Sequence, residues 1–111
     1  MSNISTHILD TSLGKPAAGV RVWLERQNSR QWQVAAESRT DADGRVRDLT
    51  PDGLSNGHYR LCADLGGYFA QSQRQTLYVT AIIDFVIDDA QQHYHLPLLV
   101  SPYSYSTYRG S

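Results

Sequence analysis

One cysteine, one lysine and no long apolar run are what this chain of 111 residues has least of. Cys62 is alone, so no disulfide can close within the chain, which fits a reducing compartment. Lys15 stands beside nine arginines that are scattered along the sequence, and the formal net charge is -1. Without a clustered basic footprint there is no counterion-release drive, and no nucleic-acid partner is expected. The opening "MSNISTHILD" has no basic segment followed by an apolar stretch, which removes the simplest form of secretory leader. Without such a leader the Asn3-Ile4-Ser5 triplet is a chance match to a glycosylation acceptor. No run approaches the roughly 20 residues needed to span a bilayer, so no membrane partner is expected either. The expected location is the cytoplasm. Internal repeats, linkers and low-complexity segments are also missing, and with 41% hydrophobic and 19% charged residues the composition is that of a folded protein. A single domain over residues 1–111, built on one core, is expected.

What is present is period-two alternation. In "GVRVWLE" Val20, Val22 and Leu24 share one face and Arg21, Trp23 and Glu25 the other, as in a half-buried strand. "WQVAAES" repeats the pattern with Trp32, Val34 and Ala36, and "HYRLCAD" sets Tyr59, Leu61 and Ala63 against Arg60, Cys62 and Asp64. In "LYVTAIIDFVID" the residues Leu77, Val79, Ala81, Ile83, Phe85 and Ile87 fall on one side, and the β-branched content favours a strand. Turn signals separate these runs: "SLGKP", "QNSRQ", "DADGR", "PDGLSNG" and "LGG". Many short strands at regular spacing predict an all-β sandwich or barrel, with "YFAQSQRQT" as the one short helix.

Polar chemistry collects at His7, at Arg45 after the "DADG" turn, and from His93 to the end of the chain. His93 and His95 are two apart, so both imidazoles project from one face of a strand. With His7 they have the composition of a three-histidine zinc site with an open position for activated water. The other reading places one histidine in a hydrogen-bond network and one at the surface. No cysteine or acidic ligand clusters nearby to favour the metal. There is no Gly-x-Ser-x-Gly elbow, and Cys62 sits mid-strand, where a small apolar residue is usual. Asp41 with Asp43, and Asp88 with Asp89, flank turns and are expected to cap backbone. Trp23 and Trp32 are expected to pack rather than to hold a ligand. The ending "SPYSYSTYRGS" carries three tyrosines where chain ends usually fray. Tyr103, Tyr105, Thr107 and Arg109 alternate with Ser104, Ser106, Tyr108 and Gly110, as a last strand would, either as a free edge or paired with another subunit.

The pieces "HILDTSLGKPAAGVRVWL", "TDADGR", "GHYRLCADLGGYF" and "HYHLPLLVSPYSYSTYRGS" together resemble the transthyretin-like family over nearly the whole chain, in its enzymatic branch, the 5-hydroxyisourate hydrolases. The terminal "YRGS" is the most specific element, because the hormone-carrying transthyretins share the early "LD…G.PA" pattern and lack this tail. The resemblance implies an antiparallel β-sandwich of two sheets with one short helix, assembled as a homotetramer, a dimer of dimers, with sites in the channel between dimers. It also implies hydrolysis of 5-hydroxyisourate, the product of urate oxidation, to a ureidoimidazoline on the way to allantoin, without a metal or organic cofactor. Carried onto this sequence, the catalytic positions are His7, Arg45, His95 and Ser111, with His7, Arg45, Tyr108, Arg109 and Gly110 binding substrate. Those types suit a flat ring rich in nitrogen and oxygen: a guanidinium fork steadies charge on a carbonyl oxygen, and histidines exchange protons near neutrality. On this reading the Ser111 hydroxyl and carboxylate would hold water or orient a histidine, and additions after Ser111 should disturb more than additions before Met1. Hydrolases of this group usually carry a proline and aromatics where this chain has "TLYVTAIIDFVI"; without proline a more regular strand is expected. The rival expectation is a carrier with an apolar channel, which buried charges at His7, Arg45, His95 and Arg109 would oppose.

Overall fold

The structure, a computed structural model, describes residues 3–111. Its strands are β1 (Ile4–Asp10), β2 (Lys15–Pro16), β3 (Arg21–Asn28), β4 (Gln31–Arg39), β5 (Arg45–Val46), β6 (Gly57–Asp64), β7 (Thr80–Ile87), β8 (Tyr94–Ser101) and β9 (Ser104–Thr107), with helix α1 (Leu65–Gln71) between β6 and β7. One sheet runs β2-β1-β8-β9, with β5 also paired to β1, and the other runs β4-β3-β6-β7. The alternation explains which faces meet. Ile4 and Ile8 of β1, Leu98 and Val100 of β8, Val22 and Leu24 of β3, and Tyr59 and Leu61 of β6 all lie in the buried layer between the sheets. Ser5 and His7 therefore turn to the outer face of the first sheet, as does His95, and that face carries the site.

One pairing departs from the expected antiparallel order: β1 and β8 run parallel through seven residue pairs, from Ile4↔Tyr94 to Asp10↔Val100. A tight hairpin forces antiparallel pairing, but the chain between these strands builds the whole second sheet, so either direction is open to it. All other strand pairs are antiparallel.

Three local expectations are corrected. In β4 the register slips opposite Leu24 and Glu25, which pair with Ala36 and Val34, so Ala35 is the extra residue of a bulge. The slip reverses the alternation: Ala36 packs on the core, whereas Val34 is 59% exposed and Trp32 lies on the outer face beneath the Arg60 guanidinium at 3.9 Å. The strand expected from Leu77, β7, begins at Thr80, because the Leu77 amide donates to the Pro102 carbonyl (2.9 Å), leaving Leu77 and Val79 exposed. From Thr80 onward β7 pairs with β6 without a break, the regular strand expected where proline is missing. The helix starts three residues before the expected "YFAQSQRQT". Asp64 caps it by accepting from the Gly67 amide (2.9 Å), and Leu65 and Phe69, four apart, bury one face.

Cys62 is buried in mid-strand, and burial foremost pushes its thiol up to about 12, so it is an unreactive packing residue. The "DADG" turn sets Arg45 opposite His7. Asp41 accepts from the amides of Asp43 and Arg45, both at 2.9 Å, and Gly44 has φ +77° with its carbonyl receiving the Ile8 amide at 2.7 Å. A Cβ on Gly44 would lie 2.4 Å from the Ile8 carbonyl oxygen. Gly44→Ala is expected to lose about 1–3 kcal/mol of stability, read as a lower urea midpoint, with partial loss of activity through Arg45.

Candidate functional site

The outer faces of β5, β1 and β8 bring the polar residues together through register alone. His7 pairs with Arg45 across β1 and β5, and Ser5 pairs with His95 across β1 and β8. The tail returns antiparallel along β8, and the Gly110 amide donates to the His95 carbonyl at 2.8 Å. The result is a cavity of about 230 Å³ lined by Ser5, Thr6, Arg45, Val46, Arg47, His93, His95 and Ser111. Pockets for drug-sized ligands run to roughly 300–1,000 Å³, so this one suits a small polar molecule.

Within it, one hydroxyl joins two histidines. Ser5 Oγ lies 2.8 Å from His93 Nε2 and 2.7 Å from His95 Nδ1, and His93 Nδ1 is hydrogen bonded to Asn3 Oδ1. The two imidazoles stack with centroids 6.5 Å apart. Burial first, and then electrostatic coupling to His93, Arg45 and His7, holds His95 below the ordinary histidine value, against the hydrogen bond it makes with Ser5. The lowered value favours the neutral imidazole, and beside a guanidinium such a ring can take a proton from water while charge develops on a nearby oxygen.

The structure gathers Arg45, His95 and Ser111 at the cavity, with Gly110 against the His95 ring. His7 stands at its margin: it is half-buried, its Nε2–H donates to the Asp43 carbonyl (2.9 Å), and it is electrostatically coupled to His95. Tyr108 is 57% exposed, and Arg109 turns away to donate to Gln92 Oε1 (2.6 Å) and to cover the Tyr94 ring at 4.6 Å. Neither lines the cavity in the single chain. Among the described residues no three His, Cys, Asp or Glu side chains are grouped to hold a metal ion, so the three-histidine arrangement does not form. Against the expectation of one histidine in a network and one at the surface, both join the Ser5 network, and His93 is also exposed.

The HIUase/Transthyretin family matches residues 4–110 of this sequence. The chain belongs to that family. A 5-hydroxyisourate hydrolase of Caulobacter vibrioides is 49% identical, with all of both chains aligned. The solved 5-hydroxyisourate hydrolase of Klebsiella pneumoniae superposes with a TM-score of 0.89 at 44% identity, covering 98% of this chain and 99% of that one. Sea bream transthyretin, solved in complex with thyroxine, superposes with a TM-score of 0.91 at 29% identity, covering 97% of this chain and 94% of that one. Similarity of backbone is therefore shared by both kinds of member of the HIUase/Transthyretin family, and the side chains at the cavity must separate them.

Two polar cavity residues of this family member escape the sequence reading, Ser5 and Arg47, and His93 enters it only as a metal ligand, a network partner or a surface residue. A signal existed for each. Ser5 is two residues before His7 and shares its face of β1, while His93 and Arg47 stand two residues from His95 and Arg45, just outside β8 and β5.

Proposed function

We propose that the protein is a 5-hydroxyisourate hydrolase of urate degradation, acting through the residues gathered on the outer face of β5, β1 and β8. The observation that carries this reading is the meeting of His95, Arg45 and Ser111 in one small polar cavity. A carrier of apolar ligands would have to bury Arg45, Arg47 and the histidines against its cargo at a large desolvation cost. The identity to hydrolases, 49% and 44%, against 29% to the transthyretin, points the same way.

The chemistry follows from these groups. Water adds to a ring carbonyl of the six-membered ring while His95 takes its proton; Arg45 donates to the oxygen that gains charge. The ring carbon–nitrogen bond then breaks, and the proton held by His95 passes to the departing nitrogen, giving the ureidoimidazoline. His7, whose Nε2–H is committed to Asp43, presents Nδ1 as the second proton-exchanging group on this face. Gly110 lets the tail close on His95, and Ser111 offers its hydroxyl to water or substrate. Tyr108 and Arg109 complete substrate binding from the tail when chains assemble.

Assembly as a dimer of dimers is part of the proposal. The outer edge of β9 has no strand beside it among the described residues, and Tyr103 and Tyr108, flanking it, are 65% and 57% exposed. Such an edge is commonly covered by another chain. Light scattering behind a sizing column is expected to give four chains, and a stable monomer with full activity would overturn this part. No helix among the described residues is long and apolar enough to cross a membrane; the cytoplasmic location is proposed separately, from the lone Cys62 that fits a reducing compartment.

The test is direct. With 5-hydroxyisourate generated in place from urate and urate oxidase, the decay of its ultraviolet absorbance is expected to accelerate on adding the protein, with or without EDTA. Arg45→Ala is expected to lower kcat about 10²–10³-fold and His7→Ala to lower it as well. No acceleration by folded protein would favour the carrier, and loss of activity in EDTA would revive the metal reading.

A further inference from the structure

The chain of hydrogen bonds that ends on His95 fixes more than the position of its ring. Each donor and acceptor along it can be counted. Asn3 Oδ1 is a carbonyl oxygen and can only accept, so its partner His93 Nδ1 carries a hydrogen. Neutral His93 then has a bare Nε2, which at 2.8 Å accepts the one hydroxyl hydrogen of Ser5. With that hydrogen used, Ser5 Oγ can only accept from its other partner, His95 Nδ1 at 2.7 Å. His95 Nδ1 must therefore hold the proton of the neutral ring, which leaves Nε2 with a free lone pair.

We infer that Ser5 and His93 are positioning residues that lock His95 as the Nδ1–H tautomer and so present its Nε2 as the base. The inference rests on the hydrolase reading for its catalytic meaning, while the tautomer itself does not depend on any substrate. The arrangement serves His95 in two ways. Ser5 is buried, with 6% of its surface exposed, and its hydroxyl is engaged by both rings. The β1–β8 register places Ser5 directly beside His95, so the ring is held from a rigid strand rather than from a loop.

Selective ¹⁵N labelling of histidine reads the tautomer directly. At neutral pH without substrate, His95 is expected to show a protonated Nδ1 and a bare Nε2, and Ser5→Ala to mix the two tautomers. In the hydrolase assay Ser5→Ala is expected to lower kcat about tenfold or more with KM within about twofold, because the ring is still present but its lone pair is no longer aimed. His93→Gln supplies an oxygen to accept from Ser5 and an amide to donate to Asn3, and should recover most of the activity lost in His93→Phe. Unfolding midpoints near that of the unaltered protein would show that these variants remain folded.

A proton found on His95 Nε2 in the unaltered protein would overturn the inference, as would a Ser5→Ala variant with undiminished kcat. Equal activity of His93→Gln and His93→Phe would remove His93 from the chain. A protein that shows the expected tautomer but leaves 5-hydroxyisourate untouched would tell against the hydrolase reading and not against the lock.

Discussion

Replacing Gly110 with alanine is expected to remove most of the turnover while leaving the sandwich folded. A Cβ at this position would stand 2.4 Å from His95 Cδ2 and 3.3 Å from both His95 Cγ and Pro97 Cγ. The ring has nowhere to retreat, because its Nδ1 is bound to Ser5 Oγ at 2.7 Å. Nor can the tail back away cheaply, since the Gly110 amide is bound to the His95 carbonyl at 2.8 Å and Ser111 lines the cavity beyond it. Either the imidazole rotates out of line or the tail lifts and takes Ser111 with it. Both outcomes cost the proton transfer assigned to His95, about 10²–10⁴-fold in kcat. Gly110 has no positive φ, so alanine fits its backbone and the effect is steric. Because the tail lies at the surface, the unfolding midpoint should shift little, within about 0.5–1 kcal/mol. A Gly110→Ala variant within twofold of normal activity would show that the tail does not close on His95 as described.

How much of this was legible in the sequence depends on the range over which each feature is determined. Local alternation is a property of the strand itself, and so the burial of Val22 and Leu24, or of Leu61 and Ala63, follows from reading every second residue. The bulge at Ala35 is not visible in that way: it is set by how β4 must bend along β3, and a single inserted residue reverses which side chains face the core. The start of α1 was hidden by its own cap, because "LGG" after Asp64 reads equally as a turn and as a first helical turn. The site was legible as residue types and illegible as geometry. His7, Arg45 and His95 can be singled out by their chemistry. That Ser5 should bridge His93 and His95 depends on a parallel register between strands some ninety residues apart, which no local pattern fixes. The tail divides in the same manner, with Gly110 and Ser111 at the cavity and Arg109 held elsewhere by Gln92 and Tyr94.

Asp10→Asn is expected to cost about 2–3 kcal/mol of stability at neutral pH and to abolish part of the acid sensitivity of the fold. The Asp10 side chain is fully buried at the end of β1, where it accepts from Arg74 Nη2 (2.8 Å), the Tyr68 hydroxyl (2.8 Å) and Ser12 Oγ (2.5 Å). These bonds tie the first sheet to α1 and to the segment that follows it. Burial alone would raise the carboxyl; the hydrogen bonds from Arg74, Ser12 and Tyr68, with the charge of Arg74, outweigh it and bring Asp10 from 3.8 to about 2. A carboxylate whose folded value lies below its unfolded value adds stability that is complete above the unfolded value and is lost as pH falls through the folded one. The contribution is therefore present at neutral pH, declines below 3.8 and is gone below about 2. Asparagine removes the charge and turns an amide donor toward Arg74 or Tyr68. Breaking a buried pair typically costs about 3–5 kcal/mol, but Arg74 is 23% exposed and can reach water, which sets the expected loss toward the lower end. Guanidinium unfolding at fixed protein concentration, followed from pH 7 to pH 2, should show the two proteins converging in acid as the normal carboxyl takes up its proton. Curves that stay a constant distance apart would mean that Asp10 contributes by packing and hydrogen bonding alone, and that its charge adds nothing to the latch.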